Sequence, residues 1–202
     1  MEKTNNNPDF VFEIHHQESS SRGQLLLRTF FGWLYILIPH GIALGIMSLF
    51  GAILTFITWW AILFTGKHPK SFFDYQLGLL RWSTRVNARM LNLVDGYPSF
   101  GNSGVDDKTK VEVAYPESNS RGLLLLRSFF GAIYVMIPHG FCLMFRMIAL
   151  YFVVFIAWWA VLFTGKYPKG MFDFVVGTFR WATRINIYMR FMTDKYPPFS
   201  SK

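Results

Sequence analysis

Residues 59–82 read WWAILFTGKHPKSFFDYQLGLLRW, and the chain returns to this string at residues 158–181 as WWAVLFTGKYPKGMFDFVVGTFRW, an offset of 99 positions. An apolar run passes through a Thr-Gly-Lys-x-Pro-Lys knuckle into a segment carrying Arg81 and Arg85, or Arg180 and Arg184 in the second copy. That order of environments is the one a chain meets on leaving hydrocarbon for headgroups and then water. Working outward, Glu13 matches Glu112, and Ser21-Arg22-Gly23 matches Ser120-Arg121-Gly122. From Ser21 to Phe100 the alignment needs no gap, at roughly half identity. The chain is therefore a tandem duplication. Residues 1–20 form a polar start with a short strand, 21–100 a first membrane repeat, 101–119 a polar linker with a second short strand, and 120–202 a second membrane repeat. The linker stretch Gly101 to Thr109 is small and polar, as expected of a mobile boundary.

Hydrophobic residues make up 52% of the 202 residues and aromatic residues 19%, more than a soluble core of this size requires. The excess is expected to face lipid. The net charge is +8, and the basic residues flank the apolar runs, which favours anionic lipid headgroups as partners. No polar domain is left to present a nucleic-acid groove. Cys142 stands alone, so no intrachain disulfide forms. The first twenty residues hold no apolar stretch of signal-peptide length, which leaves the first membrane segment to act as the targeting signal.

Residues 29–66 carry no Asp, Glu, Lys or Arg. A straight helix of that length measures about 57 Å against a hydrocarbon core of about 30 Å, too long for one upright span. In the second copy Arg146 falls midway along the apolar run, where a single centred span places it at mid-bilayer at a cost of about 2.5 to 3.5 kcal/mol. Basic residues also sit at both ends of each apolar run, which calls for an even number of crossings with both termini cytoplasmic. The expectation is an all-α integral membrane fold, each repeat a kinked transmembrane hairpin with its tip near residues 45–50 or 144–149. The alternative is an interfacial lead helix, 24–38, followed by one span over 40–65.

Pro39-His40-Gly41 and Pro138-His139-Gly140 lie inside the first apolar arm and predict a kink or break there, with the histidines capping the freed carbonyls. Two symmetry-related histidines alone make a poor metal site, so no metal or cofactor is expected. His68 is replaced by Tyr167, so no role common to both repeats attaches to it. After the knuckle, Ser71 or Gly170 reads as a helix N-cap, with Asp74 or Asp173 set to meet the exposed N–H groups. The helix over 72–93 is amphipathic, with Asp74, Gly78, Arg81, Arg85 and Arg89 on one face. Lys67, Lys70, Arg81, Arg85, Lys166, Lys169, Arg180 and Arg184 are the candidate contacts to lipid headgroups or a partner protein. A strand is expected at Phe10 to Ile14 and another at Lys110 to Ala114, free to pair outside the membrane.

No phosphate loop, zinc-protease helix motif, paired cysteines or nucleophile elbow appears. The favoured function is a non-catalytic membrane module that holds anionic lipid or a partner protein, or assembles as a homo-oligomer, at the cytoplasmic face. Two others stay open: a small transporter or channel using the Pro-His-Gly kinks, and an enzyme modifying lipid headgroups.

The runs Ile38-Pro39-His40, Trp60 to Lys67, Pro69-Lys70, Phe73-Asp74, Arg81-Trp82-Ser83-x-Arg85-Val86 and Asp194-x-Tyr196-Pro197-Pro198-Phe199 resemble a bacterial membrane family, domain of unknown function 4389. The likeness covers both copies. It implies an integral protein of the bacterial inner membrane and brings no activity, cofactor or catalytic residue. The first copy departs from the pattern at Ser99, where the second copy has Pro198.

Overall fold

The computed structural model describes residues 9–202, so the first eight residues of the expected polar start lie outside it. The chain is mostly helical, and each repeat contributes one strand and one long helix that doubles back into a shorter one. In the first repeat these are β1 (Phe10–Ile14), α1 (Arg22–Gly32), a π-helical turn (Trp33–Leu37), α2 (Ile38–Thr65) and α3 (Lys70–Met90). In the second they are β2 (Thr109–Val113), α4 (Arg121–Gly131), a π-helical turn (Ala132–Met136), α5 (Ile137–Thr164) and α6 (Lys169–Met189).

The expected hairpin tips near residues 45–50 and 144–149 are absent. The helix runs unbroken from Arg22 to Thr65 and from Arg121 to Thr164, 44 residues in each repeat. Arg146, whose charge argued for a tip, is met inside the fold instead. Its Nε donates to Thr178 Oγ1 at 2.7 Å and its Nη2 to the Phe174 carbonyl at 3.2 Å, with the guanidinium over the Phe174 ring. Nor does the proline break the helix. Pro39 has no N–H and its ring crowds the carbonyl four residues back, so the backbone widens to a π turn in which Ile38 N–H bonds to the Trp33 carbonyl. The carbonyl four residues before Pro39 belongs to Tyr35, and Tyr97 Oη donates to it at 3.2 Å; Tyr196 Oη serves Tyr134 at 3.0 Å, four before Pro138. The tail of each repeat thus caps the defect in its own long helix. Gly41 and Gly140 face open space and take no part.

Gly66 and Gly165 end the long helices with φ of 72° and 71°, a left-handed cap that a side chain resists. The knuckle then returns the chain so that α3 runs antiparallel to α2 and α1. Tyr75 Oη bonds the Met47 carbonyl at 2.8 Å, Gln76 reaches the Gly51 carbonyl, Trp82 meets His40, and the side chain of Met90 packs on Gly32. At the far end Arg28 ties the whole repeat together. It donates to the carbonyls of Arg89 at 3.2 Å and Val94 at 2.7 Å and forms an ion pair with Asp95 at 2.7 Å; Arg127 does the same with Tyr188, Thr193 and Asp194.

The two repeats are related by an internal twofold axis. β1 and β2 pair antiparallel with Phe12 opposite Val111 at the centre. Phe12, Ile14, Val111 and Val113 face inward onto a core that Phe73, Leu77 and Leu80 of α3 share with Phe172, Val175 and Val176 of α6. The long helices run antiparallel and touch near both ends: Trp59 bonds Ser128, Trp158 bonds Thr29, Arg22 reaches the Phe163 carbonyl and Arg121 the Phe64 carbonyl. The linker is pinned rather than loose, through Asn102 to the Tyr75 carbonyl and Asp106 to Arg89.

Arg28→Gln or Arg127→Gln strands a carboxylate and two carbonyls, and is expected to destabilise the protein by about 3 to 5 kcal/mol. Chemical unfolding of the purified protein checks this; a loss under about 1 kcal/mol, typical of a surface pair, refutes it.

Candidate functional site

The arginines of the α3 and α6 stripe, from the exposed Arg81 to the buried Arg85, are bonded to backbone carbonyls rather than left free for a ligand. Arg81 Nε donates to the Val111 carbonyl at 2.9 Å and Arg180 Nε to the Phe12 carbonyl at 3.1 Å, each reaching the strand of the other repeat. Arg85 is 2% exposed and donates to the Ser99 and Gly101 carbonyls; Arg184 donates to Ser200 and Lys202. The tails after each helix are irregular, so their carbonyls lack helix or sheet partners, and a guanidinium with five donors is suited to several at once. The groove that Arg81 and Arg85 line, about 310 Å³, is also walled by Lys110, Asp106 and Glu112, so its charge is mixed.

The aspartates expected to cap α3 and α6 do not. Both helices start earlier than expected, with Pro69 and Pro168 at the N-cap, which puts Asp74 and Asp173 in the second turn. There they are exposed and pair with Lys70 and Lys169 four residues back.

The histidines of the Pro-His-Gly tetrads are fully buried and do not cap carbonyls. Each accepts at Nδ1 from the indole N–H of its own repeat, Trp82 at 2.8 Å or Trp181 at 3.0 Å. That fixes the neutral ring with its proton on Nε2. In the second repeat Nε2 reaches Tyr196 Oη at 3.1 Å; in the first, His40 Nε2 is buried without a partner against Tyr97 and Phe100. Among the described residues no group of three His, Cys, Asp or Glu side chains comes together to hold a metal ion.

Of the candidate contacts, the four lysines Lys67, Lys70, Lys166 and Lys169 are exposed and lie at the two knuckles. Gly66 of the first knuckle lies beside Arg121 of the other repeat, whose Nη2 holds the Phe64 carbonyl; Gly165 of the second lies beside Arg22, which holds Phe163. The knuckles are held across the twofold axis by main-chain bonds, Asn119 N–H to the Gly66 carbonyl and Ser20 N–H to the Gly165 carbonyl, both 2.8 Å. Tyr115 Oη donates to the His68 carbonyl, and His16 Nε2 bonds the Tyr167 carbonyl at 2.9 Å.

Sequence reasoning noted Arg28 as a flanking cation and Asp95 and Tyr97 in the closing motif but gave them no contacts, although their counterparts Arg127, Asp194 and Tyr196 repeat them at the 99-residue offset. Identity across the repeats was the available signal.

Burial, only partly offset by the hydrogen bond to Pro69, pushes the His68 imidazole below its ordinary value near 6.5. The folded state then binds this proton less readily than the unfolded chain. The corresponding stability is complete above about pH 6.5 and falls as the pH drops through that value. His68→Tyr, which copies Tyr167, is expected to flatten the melting temperature between about pH 7 and pH 5. An unchanged slope refutes the assignment.

No curated protein and no solved structure matches the chain. The family profile described as Domain of unknown function (DUF4389) matches it twice, over residues 25–101 and 127–201. Those two matches take in both long helices, both return helices and both aromatic tails, and the chain belongs to this family, in two tandem copies.

Proposed function

We propose that the chain is a non-catalytic membrane module of a cytoplasmic membrane, which holds anionic lipid headgroups at its two basic knuckles. The observation that carries this reading is the outer face of the long helices. Phe30, Leu49, Phe56 and Phe64, with Phe129, Ile148, Phe155 and Phe163 in the second repeat, are all at least half exposed and belong to one continuous apolar surface. A core helix of a soluble protein buries its apolar window; here 11% of that window is buried in the first repeat and 17% in the second. A patch this large exceeds what soluble monomers carry. Trp33, Trp60 and Trp159 are about half exposed on the same helices, and Lys67 and Lys166 stand just beyond their ends, the arrangement that suits an interface.

Carbonate washing of membranes tests the first half of the proposal: the chain stays in the pellet, and release into the supernatant counts against it. For the second half, the probe is competition between phosphatidylglycerol and phosphatidylcholine for the reconstituted protein. Lys67→Gln with Lys166→Gln is expected to lower the preference for the anionic lipid about fivefold per site. Arg81→Gln with Arg180→Gln is expected to lower the melting temperature and leave that preference unchanged. If the lysine variants keep the full preference, the knuckles are not the lipid contacts.

A further inference from the structure

Resting on the membrane reading just given, we infer that the protein enters the bilayer from one side and lies in the plane of a single leaflet. Its twofold axis stands along the membrane normal, and its long helices do not cross.

Symmetry supplies the first reason. Two helices related by a twofold axis that run antiparallel must lie across the axis, and the strand pair centred on Phe12 and Val111 marks where the axis leaves the molecule. The outer face of that pair carries Glu13, Lys110 and Glu112, all exposed. Upright long helices would set this charged ribbon at mid-bilayer; flat ones leave it in water.

Charge along the return helix supplies the second. α3 runs beside the long helix from about Gly51 back to Arg28, some 35 Å at 1.5 Å per residue. Over that distance it brings Asp74, Arg81, Arg85 and Arg89, joined by Asp95 and Asp106 from the tail and linker. With the long helix upright those groups would occupy every depth of a hydrocarbon core about 30 Å thick, where ionised side chains are strongly disfavoured. With the long helix flat they form one polar layer above it. Arg146 fits the same layer: from mid-helix it bonds Thr178, and its guanidinium lies beside the Gly177 contact with Ser201 of the polar C-terminal tail.

Length supplies the third. The bare apolar face from Phe30 to Phe64 would extend about 51 Å if straight, well past the hydrocarbon thickness, and an upright helix has no way to bury it. Laid in the plane, the whole face meets acyl chains while both basic knuckles stay at one headgroup level, as amphipathic in-plane helices do.

Depth measurement on the full chain tests this. In a Cys142→Ser background, Ile42→Cys, Leu49→Cys and Phe56→Cys occupy one stripe of the outer face, and each is more than 60% exposed in its native form. Each carries a small fluorophore in vesicles of phosphatidylcholine and phosphatidylglycerol, quenched by lipids brominated at different chain positions. The expected result is three similar depths, spread by no more than about 5 Å, the radius of a helix with its side chains. An upright helix separates the first and last by about 21 Å, and a gradient of that size overturns the in-plane placement while leaving membrane residence intact. Absence of quenching at all three sites overturns both readings, and a particle of twice the monomer mass would then assign the apolar face to a second copy. In the same Cys142→Ser background, Val105→Cys, on the polar side, is expected to react with an impermeant thiol reagent while the three outer-face cysteines do not.

Discussion

Carbonyl oxygens left without a helix or sheet partner are the constraint around which each repeat is built. A proline inside a long helix frees one at Tyr35 or Tyr134, the knuckle frees others at Phe64 and Phe163, and the irregular tails hold several more. A buried carbonyl without a donor costs on the order of 1 to 3 kcal/mol. The donors that answer are side chains: guanidinium groups at Arg22, Arg28, Arg81 and Arg85, the phenol at Tyr97, and their counterparts. Because these donors come from distant parts of the chain, satisfying the backbone also fixes the tertiary arrangement. Arg28 joins the start of the long helix to the end of α3, and Tyr97 joins the tail to the middle.

The duplication keeps this scheme while reversing one of its contacts. In the first repeat, Tyr75 and Gln76 on α3 reach out to the Met47 and Gly51 carbonyls on α2. In the second repeat those positions are Phe174 and Val175, which have no such donors, and the place of Met47 is taken by Arg146. Arg146 reaches the other way, from α5 to the Phe174 carbonyl. The interface is hydrogen-bonded in both copies, with the donor on opposite helices. Arg146 is therefore part of an interhelical contact specific to one copy, which explains how a mid-helix charge is accommodated without a turn in the chain.

Periodicity and the 99-residue offset were enough to read the duplication, the strands and the return helices, and the family came from the resemblance of the repeated motifs. The strands fall at Phe10–Ile14, as expected, and at Thr109–Val113, one residue before the expected start. Two things were not legible. No proline or charge in residues 45–50 breaks the helix; the case for a hairpin rested on the length of the apolar run, the basic residues at both its ends and the cost of burying Arg146, and a partner such as Thr178 is invisible until α6 is placed. The arginine stripe was read as facing headgroups because a helix with arginines on one face looks the same whether that face meets phosphates or carbonyls. What separates the two is the tail that follows, whose prolines, glycines and polar residues leave its carbonyls unpartnered.

That distinction carries through to function. A guanidinium already bonded to two carbonyls and held at 2% exposure, as Arg85 is, has no free geometry with which to recognise a phosphate. The lysines beyond the long helices differ in kind: Lys67 and Lys166 are exposed, flexible point charges at a helix end already stabilised by its glycine cap. On the proposed reading the roles divide by residue type: the arginines are bonded to backbone carbonyls, even where exposed as Arg22, Arg81 and Arg121 are, and the knuckle lysines Lys67 and Lys166 are not, in both copies. An Arg-to-Lys exchange at residue 85 or 184 would keep the charge and lose the fork that spans two carbonyls, so net charge along the chain is a poor guide to which cations are free to bind a ligand.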